Sequence, residues 1–302
     1  MRINGVFLRI YCEEKTSYLK YVQDDYRSSY KYNTVELVPF NKIFNVKVNP
    51  DQLPMKLDKG VYCFRFDVPF PHSGQNGEYL SGSMQSENSI FQLMSGSIVY
   101  GAEAFLGDET GSKKLKTSTV TLKALPKYDI RDELHKSKPI KGTTESSTFF
   151  GVFHEYTLSV TTQSDVFVLG QTVPLSVTVS NSKSKSVKKL QISIREMSYC
   201  PQSLLAKEGP EKLAETLPSS ELISWDIDFP VPARETKTHK VEVRIPKDMD
   251  QSILYSRVMQ KRHYLWVKLA SGPLLKFPIV LVGTPRITDL NPLQTPPSNN
   301  NK

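Results

Sequence analysis

The residues of this 302-residue chain that could do chemistry are few and scattered. The five histidines, His72, His135, His154, His239 and His263, each lack a second ligand at zinc-site spacing. The three cysteines, Cys12, Cys63 and Cys200, form no Cys-x-x-Cys pair. No Gly-x-Ser-x-Gly elbow offers a nucleophilic serine, and no glycine-rich loop is built to cradle a phosphate. Asp24 with Asp25, and Asp132 with Glu133, are adjacent carboxylates; in polar loops such pairs are hydrated charges rather than a tuned acid and base. The pattern argues against an enzyme and implies no catalytic residue, no metal and no cofactor.

Positive charge is the remaining chemical signal. The formal net charge is +8 and the isoelectric point near 9.2, which draws a chain toward anionic surfaces such as phospholipid headgroups, phosphorylated protein or nucleic acid. Three clusters carry it: Lys113, Lys114 and Lys116; Lys183, Lys185, Lys188 and Lys189; and Lys261 with Arg262, followed by His263. They are the candidate anion contacts. Aromatic residues are not interleaved with them in a stacking pattern, so specific nucleic-acid binding is not expected. Lysines in such numbers also keep β proteins soluble and protect their edges.

The elements that must carry these clusters are strands. From Asp165 to Met197, Val173, Leu175, Val177 and Val179 alternate with polar positions, and Leu190, Ile192 and Ile194 repeat the pattern after the hydrophilic loop Asn181 to Ser186. Gly170 supplies a bend that brings Val166 and Val168 in as an earlier short strand. Further strands are predicted around Val6 to Cys12, Val35 to Val48, Lys59 to Pro71, Ser97 to Gly107, Val120 to Ala124, His154 to Val160, Ile223 to Phe229, Val241 to Ile245, Leu265 to Leu269 and Phe277 to Val282. In the Lys59 to Pro71 stretch, Tyr62, Phe64, Phe66 and Val68 fall on one side. Glu13 to Thr34, polar and rich in tyrosine, reads as a long hairpin connection, and His72 to Glu87 as loop. Residues 202–216 are the only plausible helical piece, interrupted by Gly209-Pro210. Trp225 and Trp266 sit on alternating strands as packing residues.

Many short strands separated by turn residues predict an all-β protein of two tandem immunoglobulin-like antiparallel sandwiches. The composition turns polar between Pro126 and Thr148. The expected domains are therefore 1–141 and 149–287, with 288–302 a disordered tail. Cys12 and Cys63 lie within apolar alternation and are expected to be buried thiols. The Met1 end has no signal-peptide pattern, no apolar run approaches membrane-spanning length, and no Asn-X-Ser/Thr sequon occurs. A cytoplasmic protein is expected.

Specific strings narrow the class. LGQTVPLSVTVSNSKSKSVKKLQISI, WDIDFPVPA (Trp225 to Ala233), HKVEVRIPKDM (His239 to Met249) and YLWVKLASGPLLKFPIVLVGTP (Tyr264 to Pro285) follow one another as in the arrestin C-terminal domain. KGVYCFRFDVPFP and GSIVYGAEAFL are similar to strands of its N-terminal domain. The chain resembles the arrestin-fold proteins, and among them the arrestin-domain-containing (alpha-arrestin) group. Family members carry opening strands ahead of the segment like NGVFLRIYCEE; here either the first sandwich lacks them or the sequence is incomplete.

The resemblance implies a non-enzymatic adaptor that binds membrane-protein cargo or receptor tails. Such an adaptor links its cargo to endocytic or endosomal trafficking or ubiquitination machinery and is recruited to the plasma membrane or endosomes. It also implies that some of the lysines meet phosphates on a receptor tail or on anionic lipid. The alternative is a stable scaffold subunit of an endosomal sorting coat, similar to the arrestin-like retromer subunit. The Pro-Pro-X-Tyr motif that recruits WW-domain ligases is absent, since Pro296-Pro297 is followed by Ser298 and Asn299.

Overall fold

A computed structural model describes residues 2–24, 27–46, 55–64, 68, 82–87, 94–107, 114–122, 136–148, 153–201, 219–256, 258–270 and 272–283. They form an all-β protein of largely antiparallel sheets, as the alternation predicts. Two compact units are present. The first comprises Met1–Lys127, Arg195–Leu222 and Ser252–Tyr264, and the second Tyr128–Ile194, Ile223–Gln251 and Leu265–Lys302.

The first unit holds β1 (Arg2–Ile3), β2 (Gly5–Asp24), β3 (Arg27–Val46), β4 (Met55–Lys56), β5 (Met84–Glu87), β6 (Met94–Gly107) and β7 (Lys114–Leu122). One sheet runs β3-β2-β6-β5 with β7 also on β6, while β1 pairs with β4 separately. On β2 the buried positions Val6, Leu8, Ile10 and Cys12 continue without a break into Glu14, Thr16 and Tyr18. Glu13 to Thr34 is therefore not a connection. It is the outer part of a hairpin between two 20-residue strands.

The polar residues are tolerated on that face because each has a partner. Ser256 Oγ donates to Glu14 at 3.1 Å, Thr16 Oγ1 donates to the Ser95 carbonyl at 2.9 Å, and Asn33 Nδ2 donates to Tyr18 Oη at 2.9 Å. The β2–β3 ladder slips between Cys12 and Glu14, opposite the stretch of β3 that contains Pro39, a residue with no N–H to give.

Three further expectations are corrected here. Residues 59–64 are not in a strand, and Val61, Tyr62 and Cys63 are exposed; without a ladder partner the aromatic alternation has no face to bury. Met84–Glu87, expected as loop, pairs with β6. Val120 faces solvent at 59% exposure and lines no core.

The second unit contains β8 (Ile140–Thr148), β9 (Phe153–Thr162), β10 (Val166–Val168), β11 (Thr172–Asn181) and the first part of β12 (Val187–Tyr199). It continues through most of β13 (Ser220–Val231), β14 (Thr236–Arg244), the end of β15 (Gln260–Leu269) and β16 (Leu274–Val282). The polar composition up to residue 148 hides β8, whose small Thr and Ser side chains pair with β9; Thr143 Oγ1 and Ser159 Oγ lie 2.8 Å apart across the ladder.

One sheet of this sandwich runs β14-β11-β9-β8 and the other β10-β16-β15-β12-β13. Val173, Leu175, Val177 and Val179 point from the first sheet into one core, where they meet Leu190, Ile192, Ile194, Leu265, Val267, Leu269, Ile279 and Leu281 from the second. Trp225 packs against that core, as expected. Gly170 has a φ of 85°, a left-handed turn that a side chain resists, between β10, which pairs in parallel with β16, and β11 of the other sheet. The 202–216 stretch and the tail lie outside the described residues.

Candidate functional site

The three lysine clusters meet different environments. Lys113 lies outside the described residues, and Lys114 and Lys116 begin β7, opposite Gly107 and Leu106 of β6. The cluster between β11 and β12 sits on a turn with a defined internal frame. Asn181, buried at the end of β11, donates from Nδ2 to the carbonyls of Lys185 and Pro232, each at 2.9 Å, and accepts the Lys183 N–H at 3.0 Å. The Ser182 N–H donates to the Glu155 carbonyl at 3.0 Å. The Asn181 side chain thus ties the turn to the end of β13, and the Ser182 amide ties it to β9.

On that frame the four lysines divide. Lys183 lies 2.6 Å from Glu155 and 5.0 Å over the Tyr156 ring. The hydrogen bond to Glu155, more than the carboxylate's charge, raises its pKa. Its ammonium is committed to the turn. Lys185, Lys188 and Lys189 are exposed. Val187 and Leu190 are buried on either side of Lys188 and Lys189, so this strand start departs from strict alternation and presents two adjacent ammonium groups. A solvated cluster of this kind can attract phosphate-rich surfaces, each lysine adding about 1 kcal/mol near a charged membrane.

The third cluster, read from sequence as an anion contact, is held internally. In the first unit Lys261 Nζ lies 3.3 Å from Glu196 Oε2, with the lysine side chain only 10% exposed. His263 is fully buried; its Nδ1 lies 2.9 Å from Ser252 Oγ and its Nε2 3.7 Å from the same Glu196 oxygen. Burial pushes the Glu196 carboxyl up, but the neighbouring His263 ring and the charge of Lys261 more than offset it, and the net pKa is lowered. Arg262 donates from Nε to Tyr199 Oη at 2.8 Å and from Nη2 to Gln260 Oε1 at 3.2 Å, and Tyr199 Oη donates to the same Gln260 oxygen at 2.5 Å. Lys261 and Arg262 therefore brace this unit instead of facing an outside anion.

Ser252, His263 and Glu196 repeat the order of a hydrolase triad, yet the arrangement does not fit hydrolysis. Ser252 is fully buried, so no substrate carbonyl can approach its hydroxyl, and Lys261 shares the carboxylate. The neighbouring Ser256 caps the following turn, its Oγ accepting the N–H groups of Val258 and Met259 at 3.1 and 3.0 Å while donating to Glu14. Burial drives the Cys12 thiol up to about 12 against a hydrogen bond with Tyr100, which keeps it protonated and unreactive near neutral pH. The carboxylate pairs Asp24–Asp25 and Asp132–Glu133 lie at positions whose side chains are outside the described residues.

The geometry of the second unit is thus two sheets over one apolar core, with a framed lysine turn joining them. Residues 154–286 match the family model for the arrestin (or S-antigen) C-terminal domain. This arrestin C-terminal match runs from β9 to β16, so it takes in the Asn181 turn with its exposed lysines. It supports the arrestin-like resemblance carried by the strings beginning at Leu169. No curated protein was found to match the chain.

Sequence reading missed Glu196, which holds Lys261 inward, Ser252, which meets His263, and the buried Ser256–Glu14 pair. A signal was present: Lys261 and His263 share the parity of the core residues Leu265, Val267 and Leu269 on β15. Glu196 shares that of Leu190, Ile192 and Ile194 on β12.

Proposed function

We propose that this chain is a non-enzymatic, cytoplasmic adaptor of the arrestin type. It binds membrane-protein cargo or receptor tails and couples them to endocytic or endosomal trafficking machinery at the plasma membrane or on endosomes. The observation that carries the reading is the arrestin C-terminal match over residues 154–286. The exposed ammonium groups of Lys185, Lys188 and Lys189 on the Asn181 turn support it, since they suit a phosphorylated tail or anionic headgroups.

Depletion of the protein in cells, followed by quantitation of the cell-surface proteome, tests the trafficking role. A defined subset of integral membrane proteins should change in surface level and return when the wild-type chain is restored. An unchanged surface proteome, or equal rescue by a chain with an unfolded second unit, would refute it.

A further inference from the structure

An exposed apolar tip lies between β4 and β5. Among the described residues Val61 is the most exposed large hydrophobic, at 102%, followed in sequence by Tyr62 at 46% and by exposed Cys63. The tip is a constrained turn: buried Leu57 anchors its base, Tyr62 Oη donates to the Asp58 carbonyl at 3.1 Å, and the Tyr62 ring stacks with Phe64 at 6.5 Å between centroids. Charges flank it: Lys56 and Lys59 are exposed before it with Asp58 between them, 3.9 Å from Lys56 across solvent, and Arg65 and Asp67 follow in sequence.

Constrained valine and aromatic side chains flanked by cations suit a boundary that is apolar inside and negatively charged at its rim. We propose that the Val61–Phe64 tip is a membrane-interface contact. In this arrangement Val61, Tyr62 and Phe64 enter the headgroup region of an anionic bilayer, and Lys56 and Lys59 sit at the level of the lipid phosphates. Tyrosine favours that depth because its ring is apolar and its hydroxyl stays hydrated. Lysines near an anionic leaflet add attraction that salt screens. The exposed ammonium groups of Lys56 and Lys59 suit the phosphates of an anionic leaflet, and the inference does not depend on the cargo-adaptor reading.

The three cysteines make the test specific. Cys63 is exposed while Cys12 and Cys200 are buried, so an environment-sensitive maleimide dye on the full chain reports from the tip. With vesicles of phosphatidylcholine plus phosphatidylserine, the dye emission should shift to the blue, and headgroup-attached quenchers should quench it. Added salt should reverse the shift. The doubly substituted chain Lys59→Glu, Val61→Asp should partition about tenfold less with an unchanged melting curve, because both side chains are exposed. Three outcomes would overturn the inference: vesicle binding with no change at the dye, no binding to anionic vesicles, or equal response to vesicles of phosphatidylcholine alone. A fourth, a shift that appears in lipid-free buffer as protein concentration rises, would assign the tip to self-association and overturn it.

Discussion

Replacing Glu196 by glutamine tests the inward role of the third basic cluster. The ammonium of Lys261 lies 3.3 Å from Glu196 Oε2, with the two side chains 10% and 21% exposed. At an effective dielectric near 20, attraction at that distance is about 5 kcal/mol, partly offset by desolvation of both ions. Removing one partner of a buried pair costs about 3–5 kcal/mol, because the remaining charge keeps its burial and loses its compensation. The partial exposure of Glu196 places Glu196→Gln at the low end, about 3 kcal/mol. Urea denaturation at neutral pH reads this as a lower midpoint.

The pH dependence sets the sign. The folded carboxyl has a pKa below its ordinary 4.5, so its contribution is complete above that value and is lost as pH falls through the lowered folded pKa. The gap between wild type and Glu196→Gln should be widest near neutral pH and should close below pH about 4.5. Adding Lys261→Met to Glu196→Gln should recover much of the loss, because an apolar chain of similar length then fills the site. Equal midpoints at neutral pH, or a gap that does not close on acidification, would refute the buried-pair reasoning.

Val177→Asp, at the centre of β11 and fully buried, should cost several kcal/mol by burying a charge with no partner; an unchanged urea midpoint would contradict the face assignment. Asn181→Ala removes two hydrogen bonds to the Lys185 and Pro232 carbonyls and one from the Lys183 N–H. It should cost about 2 kcal/mol and speed amide exchange in residues 182–186, and unchanged protection there would show that the turn is framed elsewhere. Gly170→Ala meets a φ of 85° and should cost about 1–2 kcal/mol, visible as a lower melting temperature.

Most of the second unit was legible in the sequence because strands such as β11 bury one apolar face, whereas β8, rich in Thr and Ser, was hidden. Val173 to Val179 alternate strictly, and a period of 2 allows only one register against a core. The β2–β3 hairpin was obscured for a physical reason: Glu14, Thr16 and Tyr18 occupy buried positions through hydrogen bonds to residues far away in sequence, so polarity ceased to mark exposure. Residues 59–64 failed in the opposite sense, since aromatic alternation predicts a strand only where a neighbouring strand exists to pair with it. The pairing of Glu196 with Lys261 joins residues on separate strands. The shared parity along each strand hinted at burial, but local sequence could not say which carboxylate met which ammonium.

The measurement that tests the central claim most directly is affinity capture of the full chain with solubilised membranes. Bound proteins would be quantified against a Val177→Asp chain, whose second sandwich is destabilised by the buried charge. The account predicts enrichment of integral membrane proteins together with endocytic or endosomal trafficking components on the intact chain alone. Capture of neither class above the Val177→Asp control would contradict it.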